Sequence, residues 1–464
     1  MAGSERTVDA LTDRLSRYPD LALHEVRLDL LDHPSHAFDL ASRFPILFTC
    51  RSRSQGGAFQ GTEHERRRIL ERALGADPLY LDVEFSEDTS HLRELVKSRG
   101  STRVIASHHA LDLSWKHGLP RGFSDAPADL LKLAVSVEDV ADLRDLLELT
   151  SSLHRPTIRI AMGSAGRLSR SLSYNLGSPL NFVAPDEAPG TAPGQLTLSE
   201  AKAFRSDVPG LTPLGLLGGP NVAKSPGPRV YNALFEENRL PFVYTTLETH
   251  RPIEAIELAE SIGFRGLSVT MPHKAAVMSA VTELRPPARL IGAINTILLD
   301  GPNRIGLNTD TPAIQALLAP YRDRHALILG AGGAARAAVV ALRSLGCSVE
   351  LTARDEARLA AATQALGARP LPWANRHASE FEILVNATPA SDPVPGVSSW
   401  AGRVVLDAVL TETPTELVQT ARRGGAIVFN GLAWWRAQGQ AQLSAILEAA
   451  GLPVPTIPPL EDHS

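Results

Sequence analysis

The chain is short of cysteine, of lysine and of long apolar runs, and each shortage excludes something. Only Cys50 and Cys347 occur among 464 residues, too few for a disulfide framework. Both lie in apolar strand-like runs, where a free thiol behaves as a small hydrophobe, and a reducing cytoplasm is the expected location. No uninterrupted apolar stretch approaches the roughly 20 residues that cross a bilayer, and the opening Met1-Ala-Gly-Ser-Glu-Arg6 has no signal core, so neither a membrane protein nor a secreted one is expected. Positive charge is not in excess either. A net charge of -5 gives no footprint for nucleic acid or an anionic membrane, which leaves small molecules as the expected partners. Of 46 basic residues only Lys97, Lys116, Lys132, Lys202, Lys224 and Lys274 are lysine; the rest are arginine. A lysine inside an apolar run of such a chain asks for a chemical reason, because only the amine can shed its proton and act as nucleophile or base.

What is present is an ordinary globular composition, 44% hydrophobic and 21% charged, in a length that suggests about three domains. From residue 20 to 185, seven strand-like runs alternate with helical stretches: Ala22–Leu30, Ile46–Arg51, Leu79–Glu84, Arg103–His109, Leu130–Val135, Thr157–Met162 and Leu180–Ala184. Even βα spacing predicts a (β/α)8-type barrel whose first strand is missing, with nothing before residue 20 able to supply it. A loop over Ala184–Pro193, a helix around Leu198–Phe204 and a linker over Ser206–Pro213 follow. A second αβ series runs from Leu214 to about Asp310. The strand Ala326–Leu329 then enters Gly330-Ala331-Gly332-Gly333-Ala334 and a helix over Ala337–Leu345, the layout of a dinucleotide-binding unit. The stretch Leu452–Leu460 reads as a loosely held Pro-rich tail. The expected division is 1–207, 208–310, 311–430 and 431–464, the last a helix returning to the second domain plus the tail.

Within the barrel half, alternation puts Glu25, Arg27 and Asp29 on one side of their strand and Val26, Leu28 and Leu30 on the other. The apolar side must face the helices, so three charges face inward, either as a structural ion-pair network or at a ligand site. Lys132 shares a face with Leu130 and Ala134, His109 shares one with Ser107 and Ile105, and Arg51 ends the apolar run Ile46–Cys50. A desolvated lysine amine can attack a ketone to give a Schiff base, and a nearby histidine can take the proton this makes acidic. Dehydration of a β-hydroxy ketone and an aldol cleavage both fit.

The motifs Glu25-Val-Arg27-Leu-Asp29, Phe48-Thr-Cys-Arg51-Ser with Gly56-Gly57, Ser107-His-His109, Leu131-Lys132-Leu-Ala-Val, Met162-Gly163 with Ser169-Arg170, and Thr191-Ala-Pro-Gly-Gln195 resemble, in order, those of type I 3-dehydroquinate dehydratase. The resemblance implies that Lys132 forms the Schiff base and that His109 removes the C2 proton. It implies that Arg170 pairs with the substrate carboxylate, while Glu25, Arg27, Arg51, Thr191 and Gln195 hold hydroxyls and close a lid. Gln55 stands where that family usually has a glutamate; it can orient His109 but brings no charge.

In the second half, Lys274 follows a strand in Val269-Thr270-Met-Pro-His-Lys274, and Asp310 ends Gly306-Leu-Asn-Thr-Asp310. Each alone reads as a surface salt bridge; together they suggest a dyad in which the carboxylate holds an ammonium that protonates an alkoxide as hydride arrives. After the glycine-rich turn, the strand Ser348–Thr352 leads into Arg354 and Arg358 rather than an acid, which favours a 2′-phosphate and hence NADP, with Asp355 between them opposing. These residues, with Ile291-Gly-Ala-Ile-Asn295-Thr, Asn308-Thr-Asp310, Val385-Asn386-Ala-Thr388-Pro and Gly431-Leu with Gln438, resemble shikimate dehydrogenase over about residues 214–449. The resemblance implies catalysis by Lys274 and Asp310 and shikimate binding by Thr270, Asn295, Gln438, Ser225 and Gly227. It implies cofactor contacts at Gly330, Ala331, Gly332, Gly333, Ala334, Thr352, Arg354, Arg358, Asn386, Thr388 and Gly431, and no metal. Ser225 and Gly227 stand for a serine pair, Leu410 for a tyrosine and Trp434 for a methionine.

The expectation is a bifunctional enzyme that dehydrates 3-dehydroquinate and then reduces 3-dehydroshikimate to shikimate with NADPH. Two alternatives stand beside it: a catabolic quinate/shikimate dehydrogenase, and a dehydrogenase whose barrel only binds or scaffolds, as Gln55 and the missing strand suggest.

Overall fold

The computed structural model describes the chain except Pro189, Asn221, Glu412 and residues 460–464. Pro189 in the expected loop and Leu460 at the end of the expected tail therefore lie outside the described residues. The chain divides into two compact units, residues 1–214 with 220–263, and residues 215–219 with 264–464.

The first unit holds a parallel sheet of β1 (His24–Arg27), β2 (Ile46–Thr49), β3 (Tyr80–Glu84), β4 (Arg103–Ala110), β5 (Leu130–Ser136) and β6 (Thr157–Met162), hydrogen-bonded in that order. Alternation sorts its side chains as expected. Leu47, Tyr80, Ile105, Leu130, Ala134, Ile158, Ile160 and Met162 form one apolar cluster, on the inner face. Val26, Phe48, Leu81, Val83, Val104, Ala106 and Leu131 join helix residues such as Leu70 and Leu95 in another. The intervening helices start where their caps dictate: Thr62 with Glu65 and Thr197 with Glu200 form reciprocal capping boxes ahead of Glu63–Leu74 and Leu198–Ala203.

One expectation is corrected here and a second is refined. Leu180–Ala184 forms no ladder strand; only Ala184 makes an isolated bridge, to Thr197. The Phe182 carbonyl is taken by the side chains of Arg170 and Gln195 instead of a neighbouring strand, and Pro179 and Pro185 flank the segment and have no N–H to give. The first strand of the barrel is absent as expected, but an isolated bridge stands beside β1. Ala2 bridges Glu25 in parallel sense, Met1 O accepts from Glu25 N at 2.7 Å, and Ala2 N donates to Val183 O at 2.8 Å, so residues 1 and 2 lie between β1 and the Val183 segment.

A second six-stranded sheet is mixed. It contains β7 (Thr212–Gly218), β8 (Phe242–Glu248), β9 (Gly266–Val269), β10 (Glu283–Leu284), β11 (Thr296–Asp300) and β12 (Asn303–Leu307), in the order β10-β12-β11-β9-β7-β8. By residue range, β8 and residues 212–214 of β7 belong to the first unit, and the rest of β7 with β9 to β12 to the second. In the second unit a wholly parallel sheet comprises β13 (His325–Leu329), β14 (Ser348–Thr352), β15 (Arg369–Pro370), β16 (Ile383–Asn386), β17 (Val404–Asp407) and β18 (Ile427–Phe429). Its order, β15-β14-β13-β16-β17-β18, reverses at β13, and a ligand crevice opens at such a switch point, beyond the strand ends. The helix after β13 is Gly333–Ser344, four residues earlier than the sequence suggests, because its first turn is built from glycine and alanine that carry no apolar periodicity. No described helix is long and apolar enough to cross a membrane.

Candidate functional site

Inside the barrel, the inward positions of β1 to β5 bring together every charge the alternation selects. Lys132 on β5 is only 2% exposed and donates from Nζ to Asp82 Oδ2 at 2.8 Å. The Phe182 ring covers the same nitrogen at 4.0 Å from its centroid. Burial pushes the Lys132 ammonium below its usual range, with Asp82 opposing. Burial would raise Asp82, yet Lys132 and Arg51 outweigh it and hold the carboxyl low. His109 on β4 is held by Gln55, whose Oε1 accepts from the His109 backbone N–H at 2.9 Å and lies 3.0 Å from Nδ1. Its Nε2 is buried and has no partner. Burial, then the cations Arg51, Lys132 and Arg27, keep this imidazole well below 6.5 and therefore neutral.

Arg27 and Asp29 form a buried two-pronged pair, Nε to Oδ1 at 2.8 Å and Nη2 to Oδ2 at 2.6 Å. Asp29 also accepts from the backbone N–H groups of Arg51 and Ala58. Glu25 accepts from Thr49 Oγ1 at 2.9 Å. Arg170 is nearly buried, its Nε lacks a partner, and burial lowers its guanidinium to about 10; an anion here would relieve that cost. Gln195 Oε1 accepts from both the N–H and the Oγ1 of Thr191, and its Nε2 reaches Phe182 O, so the two expected lid residues are tied to each other and to the wall beside Lys132.

Asp82 and Phe182 were missed by the sequence reading. The signal for Asp82 was available: Tyr80, Asp82 and Glu84 alternate with Leu81 and Val83 as the charges of β1 do. Phe182 carried no signal, since its segment lacks a ladder.

In the second unit, Lys274 Nζ donates to Asp310 Oδ2 at 2.7 Å, with the lysine side chain 21% exposed and the aspartate 5%. Asp310 opens the helix Asp310–Leu318, where free N–H groups favour a carboxylate. Asn295 Oδ1 accepts from Thr309 N and Oγ1 and from Thr296 Oγ1, leaving its buried Nδ2 without a partner. Gln442, unmarked in the sequence reading, donates to Asn295 O at 2.8 Å and accepts from Ser268, binding the helix Gly431–Ala449 to this edge. Gln438 on that helix donates to Trp435 O. Thr270 follows β9, its N–H bonded to Leu217 O. Trp434 is buried and Leu410 is 43% exposed. In the first unit, Ser225 Oγ accepts from Gly227 N at 3.1 Å, and a Cβ on Gly227 would come within 3.1 Å of the Tyr244 ring, so the glycine fits where a serine would crowd.

The glycine-rich turn suits a dinucleotide. Gly330 has φ +109°, and a Cβ there would sit 2.9 Å from Ala387 O; at Gly332 it would meet nothing within 4 Å. The helix Gly333–Ser344 has no side-chain cap, so the N–H groups of its first turn, after Ala331 and Gly332 and through Gly333 and Ala334, are free of side-chain partners and available to a pyrophosphate. Thr352 ends β14 with its Oγ1 buried and unpartnered. Arg354 stacks over Trp373, 5.3 Å from its centroid, and Arg358 is 77% exposed. Asp355 caps the next helix through Arg358 N at 3.0 Å and pairs with Arg358, so its carboxylate is engaged locally. Asn386 and Thr388 bond to each other, and Asn386 also to Asp407 and Ala390 O, fixing the loop after β16. At Gly431 a Cβ would lie 2.1 Å from Val409 O, so only glycine allows that approach.

Comparison with known proteins gives concordant matches. Residues 5–206 match the type I 3-dehydroquinase family, and residues 217–297 match the shikimate dehydrogenase substrate binding domain. The chain is 30% identical to the chloroplastic bifunctional 3-dehydroquinate dehydratase/shikimate dehydrogenase of Arabidopsis thaliana, over 97% of this chain and 81% of that protein. Among solved structures it is similar to the dehydroquinate dehydratase and shikimate dehydrogenase from S. pombe, at 26% identity, 96% and 95% coverage and a TM-score of 0.44. It is also similar to the shikimate 5-dehydrogenase from Thermus thermophilus, solved with NADP(H) and shikimate, at 29% identity, 51% and 94% coverage and a TM-score of 0.47.

Proposed function

Because the chain belongs to the bifunctional 3-dehydroquinate dehydratase/shikimate dehydrogenase family, we propose that it runs its two reactions through the two lysines singled out by their scarcity. In the barrel, the Lys132 amine attacks the C3 ketone of 3-dehydroquinate. The resulting iminium draws electrons from C2, neutral His109 takes the C2 proton at Nε2 and returns it to the departing C1 hydroxyl, and hydrolysis frees 3-dehydroshikimate. Arg170 pairs with the carboxylate; Glu25, Arg27, Arg51, Thr191 and Gln195 hold the hydroxyls. The observation that carries this reading is a desolvated Lys132 amine in the same pocket as an unpartnered imidazole nitrogen. Gln55 holding His109 in register supports an active barrel over a scaffolding one.

For the second reaction, NADPH held at the glycine-rich turn Gly330–Ala334 would supply the hydride that reduces the ketone. Lys274, aligned by Asp310, gives the proton to the oxygen. Asn295 Nδ2, Thr270 and Gln438 orient the ring. Arg354 and Arg358 attract the 2′-phosphate, and the turn Gly330–Ala334 takes the pyrophosphate, with Thr352, Asn386, Thr388 and Gly431 shaping its surroundings. The working division is a dehydratase barrel over 1–207, a substrate-binding domain over 208–310, an NADP-binding domain over 311–430 and a returning helix with tail over 431–464. Two buried free cysteines, one with its thiol pushed up to about 12 by burial, favour a reducing cytoplasm.

The test is direct. With 3-dehydroquinate and borohydride, a mass adduct is expected on Lys132 and none in Lys132→Ala; no adduct in the native protein would overturn the Schiff-base route. Dehydrogenase rates with shikimate and NADP should exceed those with quinate and NAD, and the reverse order would favour the catabolic alternative.

A further inference from the structure

Lys132 on β5 and Asp82 on β3 form an ion pair whose side chains are 2% and 1% exposed. Such a pair is a poor source of stability, since desolvating two charges costs about what their attraction returns and apolar residues of like volume do as well. Leu130, Ile105 and Ile158 show that apolar side chains fill the inner face, so the pair invites a chemical reason. The nitrogen lies between the Asp82 carboxylate at 2.8 Å and the face of Phe182 at 4.0 Å. Both neighbours favour a cation over a neutral amine. The other charged or titratable groups of this interior are Glu25 and Arg27 of β1, Asp29 after it, Arg51 after β2, Tyr80 and Glu84 of β3, His109 of β4 and Arg170 after β6.

We propose that Asp82 is the counter-ion that stays with the Lys132 nitrogen throughout the covalent step, pairing first with the ammonium and then with the iminium. The proposal rests on the Schiff-base reading above. The step balances without any other reagent. The ammonium and the ketone give an iminium and water: a C=N double bond forms, both carbon–oxygen bonds of the carbonyl are given up, and two nitrogen protons leave with that oxygen. One N–H and one positive charge remain on nitrogen. Because the charge at that point is the same before and after, a carboxylate fixed beside it need neither move nor change protonation. The single remaining N–H has one acceptor beside it, Asp82 Oδ2, which stops rotation about Cε–Nζ and fixes the C=N plane. Asp82 is thus a positioning residue that acts through Lys132.

Charge conservation gives the proposal a specific signature. Relative to ammonium, the iminium gains nothing from Asp82; relative to the neutral amine that prevails in alkali, it gains the whole attraction. In the full chain, Asp82→Asn keeps the shape and removes the charge. Trapping with cyanoborohydride and 3-dehydroquinate, followed by mass across mildly acidic to alkaline pH, should leave the acidic plateau of Lys132 adduct near native. The alkaline loss of adduct should move down by roughly one pH unit or more, a tenfold change in proton concentration. The circular dichroism and thermal midpoint of the same preparation report folding of the barrel. Asp82→Glu restores the charge and should keep the alkaline limb within about half a unit of native even where kcat changes; it also decides the matter if Asp82→Asn does not fold. An unshifted limb in Asp82→Asn, or one that shifts as far in Asp82→Glu, overturns the proposal. Absence of adduct in the native protein instead overturns the Schiff-base reading.

Discussion

Gln55 Oε1 receives both N–H groups that His109 turns toward it, the backbone one at 2.9 Å and Nδ1 at 3.0 Å. An oxygen that only accepts sets the tautomer: Nδ1 carries the hydrogen, and Nε2 offers a lone pair to the pocket. A neutral amide thereby does the orienting that a carboxylate would do, without stabilising the imidazolium.

The pH dependence follows from that arrangement. Burial and the cations Arg51, Lys132 and Arg27 hold His109 well below 6.5, so the folded protein leaves it neutral where an unfolded chain begins to protonate it. Below about 6.5 the unfolded state therefore binds a proton the folded state refuses, and this group's effect is to lower stability as pH falls. The base, however, stays available there: dehydratase kcat/KM should persist below pH 6.5. Gln55→Glu should raise the acid limb of the kcat/KM profile by about one unit, and an unmoved limb would contradict the role given to Gln55.

Lys274→Ala should lower dehydrogenase kcat by roughly 10²–10⁴-fold, the range for removing a general acid, while NADPH affinity and the dehydratase rate stay near native. Lys274→Arg keeps a cation near Asp310 but holds its proton far more tightly, so it should recover little of the rate. Steady-state assays of both reactions on one preparation separate these outcomes; an equal fall in both activities would point to misfolding.

Charge at Arg354 and Arg358 should show as cofactor preference. Replacing both with alanine removes charge-assisted bonds to a 2′-phosphate, each about 1.5–3 kcal/mol, so KM for NADP should rise by roughly tenfold or more with KM for NAD nearly unchanged. Parallel rises for the two cofactors would assign these arginines a structural task.

Gly431→Ala should destabilise the second unit. The added Cβ would lie 2.1 Å from Val409 O, and backbone at that spot cannot yield as a flexible side chain can. A cost of about 1–3 kcal/mol is expected, seen as a lower Tm, together with a raised KM for shikimate because Gln438 rides on the same helix.

Much of this was legible in the chain because alternation is a local signal. The period of two put Glu25, Arg27, Asp29, His109 and Lys132 on inner faces, and a lysine-poor composition picked out Lys132 and Lys274, each of which the fold pairs with an aspartate. The strand, glycine turn and helix of the dinucleotide unit were equally plain. Residues 180–184 misled the reading because their apolar character resembles a strand, while side chains from elsewhere consume the carbonyl that a ladder would need. No strand precedes β1, as expected, but the isolated bridge of Ala2 beside it was not legible for a related reason: two residues suffice to bond at Glu25 and Val183, and two residues carry no periodicity.

The amino-acid order alone determined which side chains must leave the apolar faces, and with them the candidate reactive groups and the class of chemistry they suit. Which partner each group meets was decided only by tertiary structure. Asp82 lies 50 positions from Lys132, and Gln55 lies 54 from His109. Contacts over such distances arise from strand order and register, where backbone hydrogen bonds and the shared apolar core place residues that no local pattern connects.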